Sequence, residues 1–266
     1  MNHLLREHAP ITRDTWAMID DEAKTRLSAA LGARRLVDFA GPLGWQHSAT
    51  STGRVGPVVS APADGVIARP RKVLPLAEVR AGFSMSREEL DAATRGAVDV
   101  DFATLDAAAR KIAEVENSAV FDGWDELGMT GIAAASPHAP IQTGDDPRRL
   151  AVHVAAAVAA LKNSGIGGPY GLALGYDAWV NATGGNDMGG SPLLTHLQRI
   201  LEGPVQWTPG INSSVVLSLR GGDFILESGE DLAVGYADHS AASVELYLQE
   251  TFSFRVATPE AAIVLA

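Results

Sequence analysis

The residues best suited to chemistry in this 266-residue chain do not group into a recognisable centre. Seven histidines, His3, His8, His47, His138, His153, His196 and His239, are scattered without HExxH or any other spacing that would converge imidazoles on a metal. Asp238, His239 and Ser240 are the residue types of a hydrolytic triad, but a triad is assembled from separate segments. Three consecutive side chains cannot form a relay, and a loop explains them. No GxSxG elbow presents a serine nucleophile. Asp99 with Asp101, and Asp145 with Asp146, could share acid–base work. Each pair stands directly before a helix, where capping and the macrodipole favour carboxylates, so that chemistry is not required. No catalytic, metal or cofactor-binding set is expected.

Two glycine-rich stretches remain. RGGD, Arg220 to Asp223, has the composition of a phosphate cradle, a metal loop or a tight turn. Apolar strand segments flank it, Val215 to Leu219 and Phe224 to Leu226, whereas a phosphate cradle opens into a helix. A hairpin turn with glycines at positive φ is the expectation. TGGNDMGGSP, Thr183 to Pro192, could form an anion nest or a calcium turn. It lacks the Gly-Lys-Ser/Thr of a P-loop and offers Asp187 as its one carboxylate, so a flexible exposed loop is favoured.

Composition narrows the function further. With 32 acidic and 21 basic residues the net charge is −11, which repels a nucleic-acid backbone. The absence of cysteine excludes disulfides and thiolate chemistry. The longest apolar stretch, Ala151 to Leu161, falls short of the ~20 residues of a membrane span, and the charged start MNHLLREHAP supplies no signal-peptide core. A soluble, cytoplasmic chain binding neither nucleic acid nor membrane is expected.

The positioning elements read as α+β. Trp16, Ile19, Ala23, Leu27 and Leu31 step by three or four from Thr12, predicting an amphipathic helix that Gly32 ends. Arg34 to Phe39 reads as a short strand. Between Gly53 and Met85, Pro and Gly alternate with β-branched residues, predicting an extended arm of paired strands unable to bury itself. Ser86 and Glu89 form a capping box for a short helix. Asp101 caps a longer one with the stripe Leu105, Ala108, Ile112, Val115 and Ala119. Asp146-Pro147 opens a third helix, burying Leu150, Val154, Val158 and Leu161. GPYGLALG reads as a buried strand, Ser191-Pro192 starts another helix, and strands follow from Val205 to Val256. In the last of them Val244, Leu246, Leu248, Phe252, Phe254 and Val256 share one face, with Glu250 its one charged member.

Taken in order, REHAPIT, RRLVDFAGPLGW, LPLAEVRAGF, GIGGPY and the long block RGGDF.L.SGEDLAVGY.DH...VELYLQETFSF resemble an encapsulin shell protein of the linocin or bacteriocin-type group, over about residues 4–265. The resemblance implies the tailed-phage major-capsid fold of the Hong Kong 97 type, with a peripheral domain, an axial domain and an extended loop. It implies residues 1–50 as N-terminal helix and start of the peripheral domain, 51–80 as the extended loop, and 81–135 as peripheral domain with a long spine helix. Residues 136–210 are then mainly axial domain, and 211–266 return to the peripheral domain.

The implied function is a self-assembling icosahedral nanocompartment, not an enzyme. Its implied partners are further copies of itself and a cargo enzyme, ferritin-like or a dye-decolourising peroxidase, held through a C-terminal targeting peptide. Iron storage and oxidative-stress defence are the associated roles. The resemblance assigns Leu27, Leu31, Arg34, Asp38, Leu232, Val234 and Tyr236 to an inner-face cargo-peptide groove, where Arg34 or Asp38 would orient the peptide by charge-assisted bonds. It assigns Asn186, Asp187 and Met188 to a loop lining a five-fold pore. A flavin found in some relatives stacks on an aromatic residue near the short capped helix; Arg87, Glu88 and Glu89 stand there instead, so no flavin is expected. The alternatives are a bacteriocin-type peptidase or hydrolase, against which the missing nucleophile and metal motifs argue, and a phage capsid protein, against which the acidic balance argues.

Overall fold

The computed structural model describes residues 3–144 and 146–266; Asp145 of the second carboxylate pair lies outside the described residues. Thr12 caps α1 (Arg13–Ala30) by accepting from the Thr15 N–H, and the helix buries Trp16, Ile19, Ala23 and Leu27. Gly32 does end it, but in an ordinary right-handed conformation. Glycine is required by crowding, since a Cβ there would stand 2.4 Å from the carbonyl oxygen of Trp207.

The expected strand from Arg34 to Phe39 is mostly absent. Ala33–Arg35 form a single 3-10 turn and β1 is only Asp38–Ala40. Long-range bonds override the local preference: the Ala33 N–H donates to Asn117 Oδ1 at 2.9 Å, and Arg34 is drawn to Glu116.

The arm is a ribbon of β2 (Ala49–Val55) and β3 (Arg71–Pro75), antiparallel and paired only to each other, continued outward by a bridge between Val59 and Ala68. After β4 (Ala77–Ser86), Ser86 caps α2 (Arg87–Thr94) through Glu89 N–H. Only half of the capping box forms, because the Glu89 carboxylate instead accepts from Asp101 N–H at 3.0 Å and ties the following turn to the helix. Asp101 in turn accepts from Ala103 N–H at the start of α3 (Ala103–Phe121). On α3 Val115 is only partly buried, while Glu116 and Asn117 are fully buried.

β5 (Gly123–Trp124), β6 (Met129–Thr130) and α4 (Ile132–Ala135) lead to Asp146, which caps the turn before α5 (Leu150–Asn163). Then come β7 (Tyr170–Leu174), α6 (Tyr176–Gly184), α7 (Leu193–Leu201), β8 (Val205–Trp207), β9 (Ser214–Ser218), β10 (Phe224–Ser228), β11 (Ala233–His239), β12 (Ser243–Val256) and β13 (Ala262–Leu265). The helix α6 was not anticipated.

Two sheets organise the chain. In the first, β12 runs antiparallel to β4 along one side and to β11 and then β10 along the other, with parallel β1 outside β10. The second has the order β13-β9-β7-β8. RGGD therefore is not a hairpin. It carries the chain from β9 in one sheet to β10 in the other, with Gly221 and Gly222 at φ 87° and 81°. The salt bridge Arg220–Asp223, 2.9 Å, braces it. Because β9 and β13 belong to the second sheet, the boundary expected at 210/211 does not coincide with a sheet boundary.

Candidate functional site

A hollow of about 400 Å³ opens between α1 and β11. The helix contributes Ala23 and Leu27, with Leu31 just past its end. β11 and the residue before it contribute Val234 and Leu232, and Leu248 of β12 completes the apolar lining. The periodicities dictate this pairing: residues four apart on a helix and two apart on a strand point the same way. Leu27, Leu31 and Val234 are buried among core residues, and Leu232 is partly buried beside them.

One end of the hollow is closed by the N-terminal segment. Arg6 forms a two-pronged bond to Asp20, 2.7 and 3.1 Å, over the Trp16 ring, while Leu4 carbonyl accepts from Tyr236 N–H. Tyr236 is thereby roofed; its hydroxyl pairs with His239, and it lies outside the hollow. Asp38 is also elsewhere. Its carboxylate accepts from Gly222 N–H and lines a different hollow beside the RGGD turn. Of the seven expected groove residues, the structure brings five together, Leu27, Leu31, Arg34, Leu232 and Val234.

Arg34 stands at the opposite rim, but its guanidinium is already engaged. Nε donates to both oxygens of Glu116 (3.0 and 2.8 Å), Nη1 to Asp231 (2.6 Å) and Nη2 to Glu250 (2.9 Å), with Phe39 stacked at 4.8 Å. Burial opposes the charge of Arg34, yet Glu116, Glu250 and Asp231 together hold its pKa above the ordinary arginine value. Glu116 and Glu250 are fully buried. One cation cannot compensate both together with Asp231. Burial first, and the neighbouring charge of Glu116 second, push the Glu250 carboxyl well above its ordinary value, so a proton on Glu250 brings the buried set closer to neutrality. Arg34 therefore braces the wall of the hollow and does not reach out to orient a ligand, as had been expected of it. Sequence reasoning missed Glu116 and Asp231. Glu250 did carry a signal, as the one charge in the apolar row of β12.

The loop between α6 and α7 is better ordered than its glycines suggested. The Asp187 carboxylate fills the loop's own nest: Oδ1 accepts from Gly189 N–H (2.8 Å) and Ser191 N–H (2.9 Å), and Oδ2 pairs with His196 Nδ1 (2.7 Å). The Ser191 amide bond, against the smaller cost of burial and assisted by His196, lowers the Asp187 pKa. Both the external-anion and the calcium readings fail, because the amides and the carboxylate satisfy one another. Asn186 and Met188 are exposed, Met188 at 71%, while Asp187 is turned inward.

Among the described residues there is no cluster of three or more potential metal ligands, and no helix is long and apolar enough to cross a membrane. A family model described as an encapsulating protein for peroxidase matches residues 1–253. The type 1 encapsulin shell protein of Rhodospirillum rubrum is 42% identical, the match covering 100% of this chain and 96% of that one. That of Mycobacterium tuberculosis is 39% identical over 100% of both chains. Among solved structures, a virus-like particle from Pyrococcus furiosus superposes with a TM-score of 0.64 at 17% identity, covering 94% of this chain and 99% of that one. The capsid of Myoviridae phage XM1 superposes with a TM-score of 0.50 at 11% identity, covering 86% and 88%.

Proposed function

This chain belongs to the encapsulin shell proteins, with the Hong Kong 97 type capsid fold, and from that premise we propose that it closes into an icosahedral cage around an enzyme recruited by a C-terminal peptide. It is a structural shell component and not an enzyme, as its relatives are named. The observation that carries the cargo reading is the apolar hollow between α1 and β11, whose size and lining suit a few small hydrophobic side chains of an extended tail. Arg34 supports this by fixing the wall, and Leu232, only partly buried, is the most open of the leucine and valine side chains that line the hollow.

The same reading makes the arm an inter-subunit clasp, residues 183–192 a pore-lining loop, and the second sheet with α5, α6 and α7 the axial domain. The cargo is a ferritin-like protein or a peroxidase, packed in the cytoplasm without nucleic acid. Electron microscopy of the purified protein, with absorbance at 260 and 280 nm on the same fraction, tests the cage. Uniform closed particles free of nucleic acid are expected; particles filled with nucleic acid would favour a phage capsid. Deleting Gly56 to Arg69 should leave small oligomers. For the cargo, a reporter bearing the C-terminal tail of a ferritin-like protein or of a peroxidase should be retained inside the particles, and exclusion of both reporters would overturn the peptide-recruitment reading.

A further inference from the structure

A larger cleft, of about 560 Å³, opens where the arm leaves the body. Arg54 of β2 and Leu74 of β3 belong to its arm wall, and Thr130 of β6 and Arg255, near the end of β12, to its body wall. No aspartate or glutamate lines it. On a chain of net charge −11, a concave surface with two arginines and no carboxylate runs against the overall field. Arg255 is the more telling of the two. It is half-buried, its Nε is shielded from solvent without a hydrogen-bond partner, and its guanidinium meets no carboxylate among the described residues. Arg6 and Arg34, also half-buried, rest on Asp20 and on Glu116, Asp231 and Glu250. Burying part of a cation without a counter-charge is costly, so Arg255 is a charge whose partner this chain does not supply.

Arg54 is exposed and unpaired on the arm wall, and the Thr130 hydroxyl makes no hydrogen bond among the described residues. Leu74, Phe254 and Val256 give the same cleft an apolar side. We propose that it binds a small organic phosphate, with the dianionic head between Arg54 and Arg255, the Thr130 hydroxyl as a further donor, and the apolar body against Leu74 and Val256. Two monovalent cations match a dianion, and a guanidinium fork pairs two phosphate oxygens at once. A space of this size suits a ligand larger than bare phosphate. Because β2 and β3 pair only with each other, a ligand held from both walls ties the base of the arm to the main sheet. The site is separate from the cargo hollow, whose lining shares none of these residues.

Equilibrium dialysis of phenyl phosphate against the purified full-length protein tests it. Saturable binding, stoichiometric with subunits, is expected, whereas phenol, which lacks the dianion, should not bind. Arg54→Met and Arg255→Met should each weaken binding about tenfold or more, because each removes a charge-assisted pair. Arg69→Met, an exposed arginine outside the cleft, should leave binding unchanged. Arg54 is exposed, so its substitution reads binding even if Arg255→Met also weakens the fold. Absence of saturable binding, undiminished binding by Arg54→Met, or an equal loss with Arg69→Met overturns the proposal. So does an electron-microscopy map in which a carboxylate of a second copy fills the space between Arg54 and Arg255.

Discussion

Arg34 Nη2 meets Glu250 Oε2 at 2.9 Å, where Glu250 is fully buried and the Arg34 side chain is 16% exposed. The other oxygen, Glu250 Oε1, is buried without a hydrogen-bond partner. This contact joins the segment after α1 to the centre of β12, and Glu116 adds α3, so three elements around the hollow depend on one charge cluster.

The raised Glu250 pKa makes stability depend on pH in a defined direction. The folded chain keeps the Glu250 proton where the unfolded chain has lost it, so the native state binds more protons. This contribution is fully present below the ordinary glutamate value and is lost as pH rises toward the raised native one. Glu250→Gln, neutral at every pH, should flatten that slope and be the more stable form at its alkaline end. Urea unfolding midpoints between about pH 5 and about pH 8 check this; parallel slopes for the two proteins would refute it.

Removing the cation is a different perturbation. Arg34→Met should cost about 3–5 kcal/mol, because the buried carboxyls lose their counter-charge. Adding Glu116→Gln and Glu250→Gln should recover most of that loss. Unfolding free energies of the single and combined variants measure the coupling, and additive losses would contradict it.

The groove residues separate into lining and support. Leu31 and Val234, both assigned to the groove, are buried in the core. Val234→Asp should destabilise the subunit by several kcal/mol, roughly the cost of a buried unpaired carboxylate. Leu232→Asp, at a partly buried position, should leave particles intact and abolish retention of a tail-bearing reporter. Thermal unfolding and reporter retention, measured on the same particles, distinguish the two effects.

What was legible in the chain was local and periodic. The stripe of α1, the Ser86 cap and the alternation along β12 follow from spacing alone, because one face of each had to be apolar. The rest depended on partners distant in sequence. Asn117 and Glu116 turn residues 33–35 away from strand geometry, and Asp101 captures half of the capping box. RGGD had the right turn chemistry, but the choice between a hairpin and a sheet-to-sheet crossing lay in which sheet β9 joined. In the groove, apolar positions were readable from alternation, whereas the engagement of Arg34 by three carboxylates was not. Asp187 lay in the most conspicuous loop, yet its inward orientation required His196, Gly189 and Ser191 to be seen around it.

That orientation leads to the last expectation. If Asp187 closes the loop, the Gly189 and Ser191 amides should exchange with solvent slowly in the assembled protein. Asp187→Asn replaces an ionised acceptor by a neutral amide, so exchange at both sites should accelerate roughly tenfold. His196→Ala frees only Oδ2 and leaves both amide bonds to Oδ1, so it should have the smaller effect. The pH dependence runs opposite to that of Glu250. The Asp187 pKa is lowered, so closure is present above the ordinary aspartate value and is lost only as pH falls through the depressed native value. Hydrogen-exchange mass spectrometry of peptides covering residues 183–196 reads all three effects. Equal exchange in the wild type and Asp187→Asn would show that the glycines, and not the carboxylate, set the loop's conformation.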